Sequence, residues 1–487
     1  MRIFQRIQQK LNWSIKQYIA LIVALLLLTY FISALYQVYK PLPKGLNHHG
    51  QSFQTPVEFL SDQTFLDRDG KLHTEQQIFD AILTLIGQAQ STIVVDMFLF
   101  NAEVGASTAK HRALSQELTD ALIHKKALHP QMDISVITDP INTVYDGVDA
   151  EHLRLLRKAG IDVIVTDLRP LRASNPIWSG FWYMCCQNLG NNSQGGWLPN
   201  PFAEQKITLR SYLALFNFKA NHRKTLVVDS LDGWKALITS ANAHDGSSLH
   251  SNVAMIVHGA SAIEVLDTER AVARMSQGDI PMLVIANKAG AANLPKVQIL
   301  TEQAIYTEVL QSIAALQQGE SLDLMMFYLS ERRIVKALQA AQARGVKVRV
   351  LLDPNKDAFG REKNGMPNRQ VAWELKKSGV QLRWCNTQGE QCHSKLLVLT
   401  KLDGTKQVIL GSANYTARNL KNYNLETNVS VVGAADYPAL AEAQQYFDTA
   451  WQSDTQLMSV DYQHYKDESW MRYWLYRFVE WSGLSTF

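Results

Sequence analysis

Cysteine is scarce in this sequence: four residues among 487, at Cys185, Cys186, Cys385 and Cys392. None of their spacings resembles a zinc site, and no metal or other cofactor is expected. Adjacent cysteines rarely bridge each other, so Cys185 and Cys186 are not expected to pair. Cys385 and Cys392 are spaced to close a small loop just before His393. An excess of one charge is also missing. Lys and Arg number 48 against 45 Asp and Glu, a formal net charge of +3. That argues against a nucleic-acid binder held by a broad basic surface, while leaving a local basic groove open. At 46% hydrophobic and 19% charged residues the composition is that of an ordinary globular protein, and the length suits two or three domains.

One long apolar run is present. "YIALIVALLLLTYFISALY", residues 18–36, carries no charge and is long enough to cross a bilayer as a helix. Arg2, Arg6, Lys10 and Lys16 precede it; Lys40 and Lys44 follow. The bias of basic residues places residues 1–17 in the cytoplasm and the body on the other side, as a single-pass inner- or plasma-membrane protein with a periplasmic catalytic part. A cleaved signal peptide is the alternative, but the run exceeds a usual signal core and no small-x-small site follows it. Outside the cytoplasm, disulfides are permitted.

The chain repeats itself. "VEFLSDQ" from Val57 and "VQILTEQ" from Val297 each read as a strand running into a helix cap. Each leads to a helix and an apolar strand, "TIVVDMFLF" or "LDLMMFYLS". Then come "ISVITDPIN" and "VRVLLDPNK", strands stopping at Asp-Pro, and a helix that closes at Gly before another strand. The last block gives "NHRKTLVVD" and "ALITSANAHDGSS" in the first copy, "CHSKLLVLT" and "VILGSANYTARNL" in the second. Alternating strands and helices predict an α/β fold: two pseudo-twofold-related domains, mixed sheets flanked by helices, and an active site at their interface. The expected division is an anchor at 1–46, a first domain at 47–290, a second at 291–460 and a tail at 461–487. An aromatic, then Gly/Asn-rich insertion at about 170–205 interrupts the first copy. It reads equally as a lid or membrane-contacting loop and as a long loop with its own aromatic cluster.

On a strand, residues at i and i+2 share a face, so His222 projects with Lys224 and His393 with Lys395. If the copies face each other, two imidazoles and two ammonium groups converge with Asn242, Asn414, Ser240 and Ser412. Lysines and amides make a receptacle for a tetrahedral anion such as phosphate. A neutral imidazole attacks phosphorus, and a protonated one donates to the leaving oxygen. The lysines supply the charge neutralisation that Mg²⁺ gives elsewhere.

His-x-Lys-x4-Asp followed by Gly-Ser-x-Asn, present twice, resembles the phospholipase D superfamily, and within it the cardiolipin synthase-like branch. The resemblance spans residues 57–451. It implies a phosphohistidine intermediate with His222 as nucleophile and His393 as acid/base, Lys224, Lys395, Asn242 and Asn414 on phosphate, and Ser240 and Ser412 beside them. "NLKNYNLETNV" resembles the segment whose Glu orients a catalytic His, which implies a supporting role for Glu426. The aligned place in copy one holds His250. Asp229 keeps the motif's Asp as a further support, while Thr400 replaces it in copy two and Thr239 replaces the first Gly. The implied partners are a membrane phospholipid and an alcohol or water acceptor, with no nucleic acid. A nuclease of the same superfamily and a catalytically inactive lipid-binding scaffold are the rival readings. The tail "ESWMRYWLYRFVEW" winds into a helix with Trp470, Trp474, Phe478 and Trp481 on one side. It suits either a membrane interface or a dock on the protein's own body.

Overall fold

The computed structural model describes residues 13–201, 204–281 and 293–485. Arg2, Arg6, Lys10, Phe202 and the expected 290/291 boundary lie outside the described residues.

The repeat folds twice into the same sheet. In the first sheet the strands run Leu72–Glu75, Val57–Leu66, Asn252–His258, Gly233–Thr239, Lys224–Ser230, Thr92–Met97, Asp133–Thr138, Asp162–Val165. The second runs Phe53–Gln54, Lys296–Thr301, Thr427–Ala434, Thr405–Gly411, Lys395–Thr400, Ser321–Met326, Lys347–Leu352, Gln381–Cys385, Ser459–Asp461. Seven consecutive strands therefore occur in the same order in both. Each sheet is mixed: the two strands that follow the first helix pair in parallel, and the His-x-Lys strand pairs antiparallel beside them. One strand crosses over, since Phe53–Gln54 pairs with Lys296–Thr301 of the second sheet.

Alternation along the strands divides the core into layers. In Lys395–Thr400, Leu396 and Val398 enter a cluster shared with Val227, Ile238 and Met255 of the first copy. Leu397 and Leu399 face a separate cluster with that copy's own helices. Lys224–Ser230 behaves likewise, with Val227 in the shared layer and Leu226 and Val228 in the outer one. The sheets thus pack face to face, the helices Ala260–Met275 and Pro438–Trp451 join the shared layer, and other helices cover the outer sides.

Two expectations are modified. "VEFLSDQ" does not run directly into a helix. A hairpin to Leu72–Glu75 intervenes, because copy one carries extra residues there, yet Asp62 still accepts from the amides of Gln77 and Ile78 where the helix begins (2.8 and 3.0 Å). Cys385 and Cys392 form a disulfide; so do Cys185 and Cys186, whose Cα atoms lie 3.7 Å apart at the end of the helix Pro176–Cys185.

The apolar run forms the helix Ile15–Tyr39, 25 residues whose most apolar 18-residue stretch has a mean hydropathy of 2.5 and whose side chains are mostly exposed. At ~1.5 Å per residue it is long enough to cross a hydrocarbon layer of ~30 Å. The insertion contributes the helix Pro176–Cys185, which packs along its last turns. Tyr30 donates to the carbonyl of Ile177 and Ser33 to that of Gly180, both at 3.0 Å. Gly180 permits this approach, for a Cβ there would meet that of Ala34 at 2.8 Å. The tail forms the helix Trp470–Ser482. Its tyrosine side is docked on the body, with Tyr476 buried and bonded to the carbonyl of Ser330, while Trp470, Trp474, Phe478 and Trp481 stay exposed.

Candidate functional site

The two His-x-Lys segments meet at a cavity of about 860 Å³ whose wall includes His222, Asn242, His250, His393 and Asn414. Each histidine is delivered by the other copy's backbone. The amide of His222 donates to the carbonyl of Leu425 (2.9 Å) and that of Leu425 to Ala220 (3.0 Å). Symmetrically, the amide of His393 donates to Ser251 (2.9 Å) and that of Ser251 to Gln391 (3.1 Å). The Asp-Pro carboxylates brace the approach to both. Asp139 accepts from the amide of Asn221 (2.6 Å) and Asp353 from that of Cys392 (2.8 Å). Burial raises these carboxyls to about 7 and about 6.

Beneath the wall the copies match again. The ammonium of Lys224 donates to the carbonyl of His222, and that of Lys395 to His393, each at 2.7 Å. Phe98 lies 4.7 Å from the His222 ring and 4.9 Å from the Lys224 ammonium; Phe327 lies 4.9 Å from His393 and 5.2 Å from Lys395. Both lysines are fully buried. Burial pulls Lys224 down to about 7 and Lys395 well below its usual value, and for Lys395 the neighbouring Lys224 adds to the effect. Burial disfavours the charge on both lysines, and an anion arriving between them would favour it.

The copies differ behind the imidazoles. His222 Nδ1 faces both carboxylate oxygens of Glu426, at 2.9 and 3.0 Å. Ser412 and Asn419 donate to the same carboxylate. Burial pushes Glu426 up, but His222, Lys224 and Ser412 outweigh it and hold the group below its ordinary value. His393 Nδ1 instead faces the amide oxygen of Asn252 (3.1 Å), which also accepts from Ser240 (2.9 Å). Burial lowers His222 to about 4 against the pull of Glu426. It lowers His393 further, helped by Lys395 and His250. Burial thus favours the neutral form of both imidazoles.

Ser240 and Ser412 thus lie behind the wall, on Asn252 and Glu426. Asp229 is remote: at the far end of its strand it accepts from the amides of Gln90, Ser91 and Thr92. Thr400 occupies the equivalent end of its own strand and reaches Gln444 (3.5 Å). Loss of the motif's Asp in copy two therefore leaves the cavity untouched. His250 lines the cavity with its ring 5.8 Å from His393 and its Nε2 unpartnered.

Sequence reasoning missed Phe98, Phe327, Asn252 and a buried triad. Arg223, the residue between His222 and Lys224, points into the shared core and pairs with Glu302 (2.7 Å) and Glu269 (3.5 Å). Glu302 also accepts from the amide of Glu426 (3.2 Å), tying the two copies together behind the site. The phenylalanines had a signal, since they occupy matching places in "TIVVDMFLF" and "LDLMMFYLS".

Likeness to known proteins is found over the second of the two α/β copies joined at the doubled His-x-Lys cavity. Residues 311–451 match the family described as cardiolipin synthase, PLD-like domain. The mitochondrial cardiolipin hydrolase of Mus musculus is 32% identical over 127 residues, 26% of this chain and 51% of that protein. The one of Homo sapiens is 31% identical over 109 residues, 22% of this chain and 38% of that protein. The chain thus spans about half or less of the length of these curated relatives. Phosphatidylserine synthase from Haemophilus influenzae Rd KW20 shares the fold with a TM-score of 0.57 at 12% identity, over 90% of this chain and 98% of that one.

Proposed function

We propose that this chain is a membrane-anchored phosphatidyltransferase or phosphodiesterase that cleaves a phospholipid headgroup ester through phosphohistidine. The observation that carries this reading is the unequal backing of the two imidazoles, Glu426 on His222 and Asn252 on His393. A carboxylate holding Nδ1–H leaves the Nε2 lone pair free and supports the positive charge that develops as it bonds to phosphorus. An amide holds the other ring in place without that support, so its imidazolium is the better acid.

In this scheme the phosphodiester anion settles between Lys224 and Lys395, and its charge restores a proton to His393. The Nε2 of His222 attacks phosphorus, the ester P–O bond breaks, and His393 gives its proton to the leaving oxygen. A water or alcohol then yields its proton to His393 as its oxygen takes phosphorus from His222. Asn242 and Asn414 hold the phosphoryl oxygens, with Ser240 and Ser412 as supports one layer back.

The helix Ile15–Tyr39 supports anchoring, and the basic residues before it support a periplasmic body. An anchored site beside aromatic helices suits a lipid acceptor, so transfer to an alcohol, as in cardiolipin synthesis, is preferred to hydrolysis. The test is mass spectrometry of lipids from cells making the wild type and His222→Ala. The expected outcome is a headgroup-exchanged or dimeric phospholipid present only with the wild type. Identical lipid profiles combined with cleavage of single-stranded DNA would overturn it in favour of a nuclease.

A further inference from the structure

A second cavity, of about 400 Å³, opens where three apolar elements converge. Val38 at the end of the long helix lines it, with Pro176 at the start of the insertion helix and Arg477 and Trp481 of the C-terminal helix. The junction is tight, because Gly483 at the end of the C-terminal helix lies against the carbonyl of Ser174, where no Cβ fits. Around this crevice the exposed side chains are large and apolar. Trp474, Phe478 and Trp481 are 54%, 54% and 82% exposed on one helix, and Ile177 and Phe181 are 63% and 49% exposed on the other. This surface is continuous with the helix Ile15–Tyr39, whose last turns carry the insertion helix. An apolar, tryptophan-rich layer attached to a membrane-length helix suits the bilayer interface.

Arg418 lines both this crevice and the histidine cavity. Its guanidinium stacks on Phe218 at 4.9 Å, its Nε is buried without a partner, and no carboxylate of the described residues lies within 4 Å of it. The nearest acid on the crevice wall, Glu480, is engaged by Ser330 (3.0 Å). Burial lowers this arginine to about 10, outweighing the upward pull of Glu480. A desolvated guanidinium with free donors is built to receive a phosphate or carboxylate.

We propose that the crevice is the port by which a membrane phospholipid reaches the histidines, with Arg418 holding its phosphate on the way in. The acyl chains stay among the exposed side chains of the two aromatic helices while the headgroup passes Phe218 toward His222. The port rests on the function proposed above only for the lipid's destination.

The test uses the full chain in detergent, with dihexanoyl-phosphatidylglycerol and inorganic phosphate as separate probes in calorimetric titrations. Arg418→Gln is expected to weaken the lipid about tenfold, Arg418→Lys less, and inorganic phosphate by a much smaller factor. Unchanged lipid affinity, or an equal loss for both probes, would overturn the port. Because binding needs no turnover, an inactive chain that binds lipid through Arg418 would sink the enzymatic reading and leave the port standing. Should Arg418→Gln fail to fold, Trp474→Asp on the exposed face carries the test. In liposomes it is expected to slow turnover of embedded phospholipid at least tenfold more than that of bis(p-nitrophenyl) phosphate, and equal effects on both substrates would overturn the proposal.

Discussion

Nδ1 of His222 lies 2.9 Å from a carboxylate oxygen of Glu426, a residue 204 positions further along the chain. Among the described residues no carboxylate stands behind His393: the backbone bonds that pair Leu425 with His222 and Ser251 with His393 make Asn252 the counterpart of Glu426, not the His250 that sequence alignment places there. Two nearly identical motifs are thereby made chemically unequal.

That inequality fixes which histidine is expected to carry phosphate. With His393→Ala, a p-nitrophenyl phosphodiester, whose leaving group needs no proton, should still label His222 with acid-labile phosphate. With His222→Ala no label should form. Loss of a general acid costs about 10²–10⁴-fold on ordinary leaving groups, and the activated substrate should recover much of it. Label on His393 would reverse the assignment.

Glu426→Gln keeps the shape of the contact and removes its charge. A loss of about 10–100-fold in kcat/KM is expected, the range for partners one layer behind the reacting group. Glu426 draws the His222 pKa up, so its removal should move the acid limb of the pH–rate profile to lower pH. An acid limb that stays in place would detach Glu426 from the essential base.

Lys224 carries a stability cost. Its folded value of about 7 lies below the unfolded 10.5, so the unfolded chain binds more protons between these values. Stability should therefore rise with pH across that window. Thermal melts of the wild type and Lys224→Met, run from pH 7 to 10, should show a steeper rise for the wild type. The variant should be the more stable at pH 7 and catalytically dead. Parallel curves would mean that the lysine is not held desolvated.

Thr400→Asp should leave activity within about tenfold, a barrier change of roughly 1.4 kcal/mol. Thr400 ends its strand beside Gln444, as Asp229 ends its own beside the Gln90–Thr92 loop, and neither touches the cavity. A gain of several orders of magnitude would mark copy two as crippled and revive the scaffold reading.

What was legible in the sequence was whatever repeats locally. Strand periodicity, the Asp-Pro stops and the Gly-ended helices before Asp162–Val165 and Gln381–Cys385 all lie within one copy, and all fold as read. The histidine pairs were legible for the same reason. What escaped depends on contacts between copies. Asn252 reads as an ordinary strand residue until His393 arrives from 141 positions away. Arg223 reads as a spacer between two functional residues until Glu302 meets it. The exchange of Phe53–Gln54 into the second sheet has no local signal, since a two-residue strand is specified by its neighbours. Of the tail's two readings the structure shows the dock, through its tyrosine side, while its tryptophan side is exposed.

The reciprocal backbone bonds, His222 to Leu425 and His393 to Ser251, mean that neither copy owns a finished site. A half-chain expressed alone would present its histidine strand without the segment that seats it. Covalent fusion changes what heredity can do with such an arrangement. Two identical halves must carry the same residue behind both imidazoles, whereas a fused chain can inherit a carboxylate at 426 and an amide at 252. The tandem duplication is thus what permits one histidine to specialise without its twin following.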